Sequence, residues 1–307
     1  MIARPIAGYR TIADRQRALM RWYQKHGRHH LPWRHEISPY RVLVSEMMLQ
    51  QTQVDRVIPY FETWMRRWPT IEVFARARRG SVLRMWAGLG YNRRAVHLHG
   101  AAQRIVREGW FHDVDMRRGV LEGRAGSQDA IALLAGALQR LPGIGSYTAH
   151  AVLTFAWNLP APCVDVNVRR VLAYVIYRRP AIMRLPLADV ERLAARVIPR
   201  GKGCAWNSAL MDYGALVFRA SDVPQRSRPK PTQGTFINST RFWRGRIVAV
   251  LRGDSSMPAR RSHIQWTVRA LQQALTRYGT PPDVTPLLIA LTRDGVIVRR
   301  GTRYVLG

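Results

Sequence analysis

Two acidic residues, Glu46 and Asp165, stand in apolar stretches of the sequence and are the side chains best placed for chemistry. Glu46 lies between valines and methionines, where an amphipathic helix would ordinarily bury an apolar side chain. Burial raises the pKa of a carboxyl group, so a glutamate there can stay protonated near neutral pH and donate a proton. Asp165 precedes a predicted helix, where a carboxylate serves either as an N-cap or as a reacting group. If its segment stood alone, Glu46 would be assigned to the solvent-facing side of a helix.

A glycine-containing turn precedes Asp165 in the sequence and suits a phosphate ligand. Residues 141–145 read LPGIG, and the two glycines, Gly143 and Gly145, allow positive φ and close backbone approach. A helix is predicted from Ser146 to about Phe155, and free amides at the start of a helix bind phosphate. A pair of glycines by itself usually only closes a turn.

The composition favours a polyanionic partner. The chain has 307 residues, with 49 lysines and arginines against 19 acidic residues, a formal net charge of +30 and a pI near 11.6. Nucleic acid fits this charge better than an acidic small molecule does, although charge alone defines no function.

Cysteine content and hydropathy exclude several classes of protein. Cys163 and Cys204 occur in unlike contexts and offer neither a disulfide framework nor a metal site of ordinary spacing. The sequence has no apolar run long enough to span a bilayer, and its first residues predict an amphipathic helix rather than a secretory signal. We therefore expect a cytoplasmic, nucleoid-associated protein with no membrane partner.

Hydrophobic periodicity predicts a mainly α-helical chain with a helical domain over residues 1–235. The predicted helices span residues 12–27, 40–68 with a polar interruption at 50–53, 129–139, 146–155, 166–177, 187–198 and 204–217. Residues 111–127 are polar and turn-rich, and they are expected to link two halves of this domain.

The C-terminal residues 241–307 predict a small, separate, winged-helix-like α+β domain. Three helices are expected at 242–251, 264–278 and 285–293, followed by a β-hairpin formed by residues 295–299 and 303–306. The arginines of the hairpin, Arg299, Arg300 and Arg303, could contact the DNA backbone, and packing against the helical domain is an equal alternative.

Four motifs together carry a resemblance to a known family. They read LPWR-x4-PYRVLVSEMMLQQTQVDRVIPYFETW, WAGLGYNRRAVHLHGAA, LPGIGSYTA and VDVNVRRVL, within roughly residues 15–217. The sequence resembles the MutY-type adenine and mismatch DNA glycosylases of the helix-hairpin-helix (HhH-GPD) superfamily. The resemblance implies a two-lobed, all-helical fold and a monofunctional enzyme that excises a base from mismatched or damaged double-stranded DNA. We expect it to act as a monomer.

The resemblance also implies roles for catalytic residues. Glu46 would protonate the leaving base, and Asp165 would stabilise the positive charge that develops on the sugar. Tyr147 occupies the position where bifunctional relatives carry a lysine that attacks the sugar, and no lysine lies between Lys25 and Lys202. Water is therefore expected to trap the sugar.

The residues expected to position these groups and bind DNA follow from the same motifs. Asn167 and Arg170 would brace the loop of Asp165. Arg170 is also expected to contact DNA. The remaining expected DNA contacts are Gln50, Gln51 and Thr52 against the mispair, Tyr91 as a wedge in the base stack, and the hairpin residues Leu141, Gly143 and Gly145. Ser208 and Trp33 would line the pocket for the base.

The sequence departs from the family pattern at two sites. Relatives usually hold a four-iron cluster with four cysteines, and the matching positions here are Phe218, Gln225, Arg228 and Gly234, so neither an iron-sulfur cluster nor any other metal is expected. Adenine-specific relatives carry Gln or Glu where Ser208 stands.

Three functions from different classes stay open at this point. The first is excision of adenine opposite guanine or 8-oxoguanine, which the Gln50–Thr52 run and Tyr91 favour. The second is excision of thymine or uracil opposite guanine, which Ser208 favours. The third is DNA binding without catalysis, against which the presence of both Glu46 and Asp165 argues.

Overall fold

The computed structural model describes residues 6, 8–110, 128–218, 221, 236–253 and 265–307. The expected linker 111–127, the loop 222–235 and three of the four cluster positions, Gln225, Arg228 and Gly234, lie outside the described residues. The described part is mainly helical with one small sheet, as the sequence predicts. None of its helices is long and apolar enough to cross a membrane.

The helices follow the hydrophobic periodicity closely. They are α1 Ile12–His26, α2 Pro39–Leu49, α3 Val54–Arg67, α4 Ile71–Ala75, α5 Arg79–Met85, α6 Arg93–Glu108, α7 Gln128–Leu138, α8 Ser146–Trp157, α9 Val166–Val171, α10 Leu187–Arg196, α11 Gly203–Leu216, α12 Thr240–Arg252, α13 Val268–Leu275 and α14 Thr285–Arg293. A π-helical turn, Leu172–Ile176, continues α9.

The chain forms two compact units, each made of two segments. The first comprises residues 1–46 and 107–230, and the second comprises residues 47–106 and 231–307. This grouping differs from a linear division at residues 235–241, because residues 47–106 associate with the C-terminal segment.

The core of the first unit is formed by α1, α9 and α11. Leu19, Val168, Trp206 and Leu210 have no exposed surface, and packing of these apolar faces removes them from water. Gly214 allows α9 and α11 to approach closely, since a Cβ at this position would lie 2.9 Å from the Cβ of Asn167. Asn167, two residues after the N-cap of α9, is thereby held against α11.

Aromatic residues form the core of the helical part of the second unit. Trp64 packs edge-on against Trp68 and Trp86, with ring centroids 4.7 and 5.8 Å apart. Phe74 lies against Trp64 and against the buried His99. Such pairs add specific geometry to the burial of large apolar surfaces.

The C-terminal part of the second unit is a winged-helix arrangement of three helices and a three-stranded sheet. The expected hairpin is present as β2 Ile297–Arg300 and β3 Arg303–Leu306. The expectation of a helix from residue 264 was wrong at its start: Trp266–Thr267 forms strand β1, which pairs with β3 and gives the order β1-β3-β2. The Thr267 side chain then caps α13 by accepting from the amide of Ala270.

Ion pairs within the second unit support the alternative that the C-terminal winged-helix part packs against other helices of the protein. Asp294, whose side chain is 7% exposed, forms ion pairs with Arg93 of α6 and Arg244 of α12. Arg299, Arg300 and Arg303 are exposed, so the hairpin also presents cations to solvent.

Candidate active site and DNA-contact loops

Glu46 is a buried acid in the last turns of α2. Its side chain is 7% exposed. Burial, and next the negative charge of Asp165, raise the pKa of Glu46 to about 7, although the hydrogen bond from Tyr147 and the charge of Arg34 oppose the increase. The carboxyl group therefore holds a proton over part of the neutral pH range, as its apolar sequence context predicts.

Tyr147, in the first turn of α8, holds this acid. The Tyr147 hydroxyl is hydrogen-bonded to Glu46, and burial followed by the charge of Glu46 raises the pKa of the phenol well above its usual value. The phenol thus stays protonated and can donate to the carboxylate.

Asp165 is both a helix cap and a member of the acidic site. One carboxylate oxygen accepts from the amide of Val168 at 2.6 Å, which caps α9. The other oxygen accepts from the side-chain amide of Asn167 at 3.1 Å. The capping and chemical interpretations of Asp165 are therefore compatible, because the cap fixes a carboxylate whose charge acts on Glu46.

Arg170 braces the Asp165 loop from inside the protein. Its guanidinium donates to the side-chain oxygen of Asn167 at 2.6 Å and to the carbonyls of Gly214 and Phe218 at 2.7 and 2.9 Å. The residue is 5% exposed. The expected bracing role agrees with this geometry, whereas the DNA contact expected of Arg170 stays a prediction for a side chain that already has protein acceptors.

The hairpin before α8 has a buried anchor and exposed glycines. Gly143 has φ of +75°, which favours glycine, whereas Gly145 has an extended backbone with φ of −91°. The expectation that both glycines serve positive φ therefore applies to Gly143 alone. Leu141 is 2% exposed and anchors the turn with its side chain, and its expected DNA contact stays a prediction. A Cβ on Gly145 would meet nothing within 4 Å, so the backbone beside the start of α8 is open to a ligand.

Ser208 and Trp33 lie inside the first unit with little exposed surface. Ser208 is 2% exposed and its hydroxyl is hydrogen-bonded to the side chains of Tyr23 and Cys204. Trp33, in the 3-10 turn Pro32–Arg34, is 9% exposed. The structure therefore gives Ser208 protein partners, and it adds Tyr23 to the residues expected near the base pocket.

A charged cluster beside these residues was missed in the sequence. Asp212 has no exposed side-chain surface and accepts from Arg34 at 2.7 and 3.0 Å and from the side chain of Arg28 at 2.7 Å. Burial alone would raise the pKa of Asp212, but the hydrogen bond and charge of Arg34, together with Arg28, hold it below its usual value. Arg34 falls inside a recognised motif, whereas Asp212 lies outside the four motifs and 178 residues further along the sequence, so only the fold pairs them.

In the second unit, Arg94 of α6 ties two loops together. Its guanidinium donates to the carbonyls of Gln50 at 2.5 Å and Leu89 at 2.9 Å, and to the hydroxyl of Thr52 at 3.3 Å. Burial lowers the pKa of Arg94 to about 10, so the group remains charged at neutral pH. The segment 50–52 and the turn before Tyr91 are thus fixed by one side chain, and the resemblance assigns both that segment and Tyr91 to DNA contact.

Both loops contain a strained backbone position. Gln51 and Tyr91 have φ of +56° and +47°, a region that residues with a Cβ seldom occupy. Gln51 is exposed, and Tyr91 is 40% exposed. Such strain often accompanies functional positions, where the surrounding contacts enforce it.

The residues of this chain do not fit a four-cysteine iron cluster. The sequence has two cysteines, Cys163 and Cys204. Phe218, at the first cluster position, is 4% exposed and packs against Tyr174 with ring centroids 5.6 Å apart. Within the described residues, no three His, Cys, Asp or Glu side chains form a group that could hold a metal.

A helical fold with a hairpin, a buried acid and a nearby capping carboxylate defines a class of DNA-repair enzymes, and comparisons with known proteins agree. A family model described as HhH-GPD superfamily base excision DNA repair protein matches residues 44–180. The adenine DNA glycosylase of Mycolicibacterium smegmatis is 36% identical over 267 residues, which cover 80% of this chain and 83% of that protein. The adenine DNA glycosylase of Mycobacterium tuberculosis is 35% identical over 282 residues, which cover 84% of each chain.

Solved structures share the fold. A thermostable thymine-DNA glycosylase superposes with a TM-score of 0.54 at 23% identity, over 68% of this chain and 89% of that one. A non-covalent endonuclease III-DNA complex gives a TM-score of 0.51 at 16% identity, over 72% and 94%. The chain belongs to the adenine DNA glycosylase family of the HhH-GPD superfamily. It is a base-excision-repair enzyme that binds DNA and hydrolyses N-glycosyl bonds.

Proposed function

We propose that this enzyme removes adenine opposite guanine or 8-oxoguanine in duplex DNA and leaves an intact abasic strand. The observation that carries the proposal is the buried Glu46, with a pKa near 7, beside Asp165 and bonded to Tyr147. The two similar mycobacterial proteins described above are both named adenine DNA glycosylase, which supports adenine as the target base.

The chemistry begins with protonation of the target base. An adenine anion leaves slowly, whereas adenine protonated on a ring nitrogen leaves as a neutral molecule. Glu46 supplies this proton when it is in its acid form. Tyr147 then stabilises the Glu46 carboxylate that results, by donating a hydrogen bond.

Cleavage of the bond between base and sugar places positive charge on the sugar. Asp165 opposes this charge with a carboxylate whose orientation is set by the amide of Val168 and the side chain of Asn167. One water molecule adds to the sugar carbon and gives up a proton that restores the acid form of Glu46, so the products are free adenine and an abasic site. All three groups, Glu46, Tyr147 and Asp165, come from one chain, which supports action as a monomer.

We propose a monofunctional route, in which no side-chain amine attacks the sugar. Tyr147 stands where bifunctional relatives carry lysine, and its phenol cannot form an imine. We also propose that the enzyme works without an iron-sulfur cluster, since the chain has two cysteines.

Excision of thymine or uracil opposite guanine is a second candidate, which Ser208 favours. Ser208 replaces the longer Gln or Glu expected to bond adenine, and its hydroxyl is directed to Tyr23 and Cys204. A base pocket that forms no hydrogen bonds with the polar edge of adenine would discriminate less strongly between adenine and other bases.

A single-turnover assay on matched duplexes tests these candidates. The duplexes would carry A·G, A·8-oxoG, T·G or U·G at the same position, with A·T and C·G as controls. We expect excision of adenine from the first two and little from the others. Excision confined to T·G and U·G would replace adenine as the target, and no excision by protein that binds all six duplexes would refute glycosylase activity.

A further inference from the structure

We propose that Phe236 and Arg241 join Tyr91 in one DNA-contact surface. Arg241 positions the Tyr91 ring, and Phe236 provides a second ring on which a nucleobase at the lesion stacks. This proposal takes one element from the proposed function, namely that the substrate is duplex DNA in which one base has lost its partner. All three residues belong to the second compact unit.

Arg241, at the start of α12, contacts both rings. Its guanidinium donates to the Tyr91 hydroxyl at 2.6 Å, and the guanidinium carbon lies 5.6 Å from the centre of the Tyr91 ring. The same carbon lies 4.8 Å from the centre of the Phe236 ring. One cation therefore contacts two aromatic side chains, Tyr91 and Phe236, that are 145 residues apart in the sequence.

The Tyr91 side chain is held in place although its loop is strained and its ring is 40% exposed. Arg94 lies on the ring as well, with its guanidinium carbon 5.6 Å from the ring centre. An exposed tyrosine would otherwise sample several rotamers, and binding DNA would then require it to be ordered. Arg241 reduces that cost, because it fixes the hydroxyl and the ring together.

Phe236 is exposed in a way that suits a base. It is 49% exposed, and its ring is supported by an edge contact with Phe242, with centroids 5.7 Å apart. Nucleobases stack on aromatic rings and on guanidinium planes, often where a cationic surface follows the DNA backbone. The charge of +30 supplies such a surface, and an exposed ring beside arginine fits a base better than it fits an apolar protein partner.

This surface changes the role expected for the C-terminal residues. If residues 241–307 touched only phosphates, deleting them would leave the ranking of mismatches unchanged. The bond between Arg241 and Tyr91 gives these residues a direct influence on the wedge. The ranking of mismatches should therefore depend on Arg241.

A binding experiment tests Phe236 without any need for excision. Full-length protein would be titrated with two duplexes, one carrying a tetrahydrofuran abasic analogue opposite guanine and one undamaged. Phe236→Ala and Phe236→Leu should each weaken binding to the abasic duplex by about 5-fold to 100-fold, with little effect on the undamaged duplex. Phe236→Trp should bind at least as well as wild type, because its larger ring stacks.

The matched control is Ile289→Ala, which removes another exposed apolar side chain, 63% exposed, from the same C-terminal part. This variant should bind like wild type. Wild-type affinity of Phe236→Leu for the abasic duplex would overturn the stacking role. Concentration-dependent dimerisation lost in Phe236→Ala would assign the ring to a second copy of this chain instead.

A double-mutant cycle tests the positioning role of Arg241. Arg241→Ala should slow single-turnover excision about tenfold or more, and its effect should be clearly smaller when Tyr91→Phe, which keeps the ring and lacks the hydroxyl, is already present. Arg241→Lys should recover part of the rate, since its ammonium group keeps a donor and a cation. An equal effect of Arg241→Ala in both backgrounds would refute positioning through Tyr91.

These readouts separate the two proposals. If the wild-type protein excises no base, the proposed function fails, and the abasic duplex still reports on Phe236. If the wild-type protein excises adenine and Phe236→Leu binds the abasic duplex with wild-type affinity, the proposed stacking surface is refuted and the proposed function is retained.

Discussion

The hydroxyl of Tyr147 is hydrogen-bonded to the carboxyl group of Glu46, a residue 101 positions earlier in the sequence. The pair joins the first turn of α8 to the last turns of α2. The bond favours the ionised carboxylate, whereas burial and Asp165 favour the acid. Together these effects leave the pKa of Glu46 at about 7. At that pKa the carboxyl group can donate a proton near neutral pH, and the carboxylate that results is stabilised by the hydrogen bond from Tyr147.

Replacing Glu46 by Gln should abolish most excision and increase stability above neutral pH. The folded-state pKa of Glu46, about 7, exceeds its ordinary value of 4.5, so ionising this group disfavours folding as pH rises through that window. The shift corresponds to about 3 kcal/mol at pH 8. Urea unfolding should show Glu46→Gln more stable than wild type at pH 8, with a smaller difference at pH 5.

The exposed Glu62 provides a control for this measurement. Glu62→Gln makes the same chemical change on the protein surface and is the matched variant for comparison. A stability difference for Glu46→Gln that is the same at pH 5 and pH 8 would contradict the raised pKa, and near wild-type excision would remove Glu46 from the mechanism.

Replacing Asp165 by Asn should separate its two functions. An asparagine can still cap α9, so folding and DNA binding should be close to wild type, whereas the loss of negative charge should slow excision by about a hundredfold or more. Asp165→Ala should in addition lose about 1 kcal/mol of stability with the cap. Thermal unfolding, DNA binding and single-turnover rates would be compared. Rapid excision by Asp165→Asn would show that the carboxylate charge is not required.

Replacing Tyr147 by Phe should move the pH profile of excision. The hydrogen bond from Tyr147 lowers the pKa of Glu46, so its removal raises that pKa further. Excision should then persist to higher pH before it declines with ionisation of the acid, although the rate at the plateau should be lower. Tyr177→Phe removes a comparable buried hydrogen bond, to the carbonyl of Leu193 at 2.8 Å, and should leave the profile unchanged. A profile of Tyr147→Phe shifted to lower pH would contradict this arrangement.

Excision should leave a strand that breaks only after hot alkali. Tyr147 cannot form a Schiff base, and no lysine lies between Lys25 and Lys202. Borohydride should therefore trap little covalent complex between the protein and an adenine-containing duplex. Efficient trapping would show that an amine, such as that of Lys202, reaches the sugar.

The purified protein should be colourless and should carry no stoichiometric iron. Phe218 is buried where relatives place the first cluster cysteine, and its carbonyl accepts from Arg170. Iron analysis and the absorption spectrum near 400 nm would test this expectation. Four iron atoms per chain would show that other residues hold a cluster.

The sequence alone predicted the hairpin of the wing, the family and most of the helices, although α4, α5 and α6 were not predicted. Helix periodicity and capping residues are local signals, which explains why α1, α8 and α14 begin and end close to their expected limits. Strand β1 was not predicted, because a segment of two residues is too short to show a periodic pattern. It is a strand only because it pairs with β3. The motifs were sufficient to single out Glu46 and Asp165.

Tertiary structure decided which side chains meet and which are buried. The sequence could not show that Arg34 reaches Asp212, or that Arg241 reaches Tyr91, because these pairs depend on how distant helices pack. Hairpin membership suggested a DNA contact for Leu141, and only its burial assigns it to packing. The apolar context of Glu46 predicts its burial, but the hydrogen bond from Tyr147 and the charge of Asp165, which also act on its pKa, come from residues that only folding brings together.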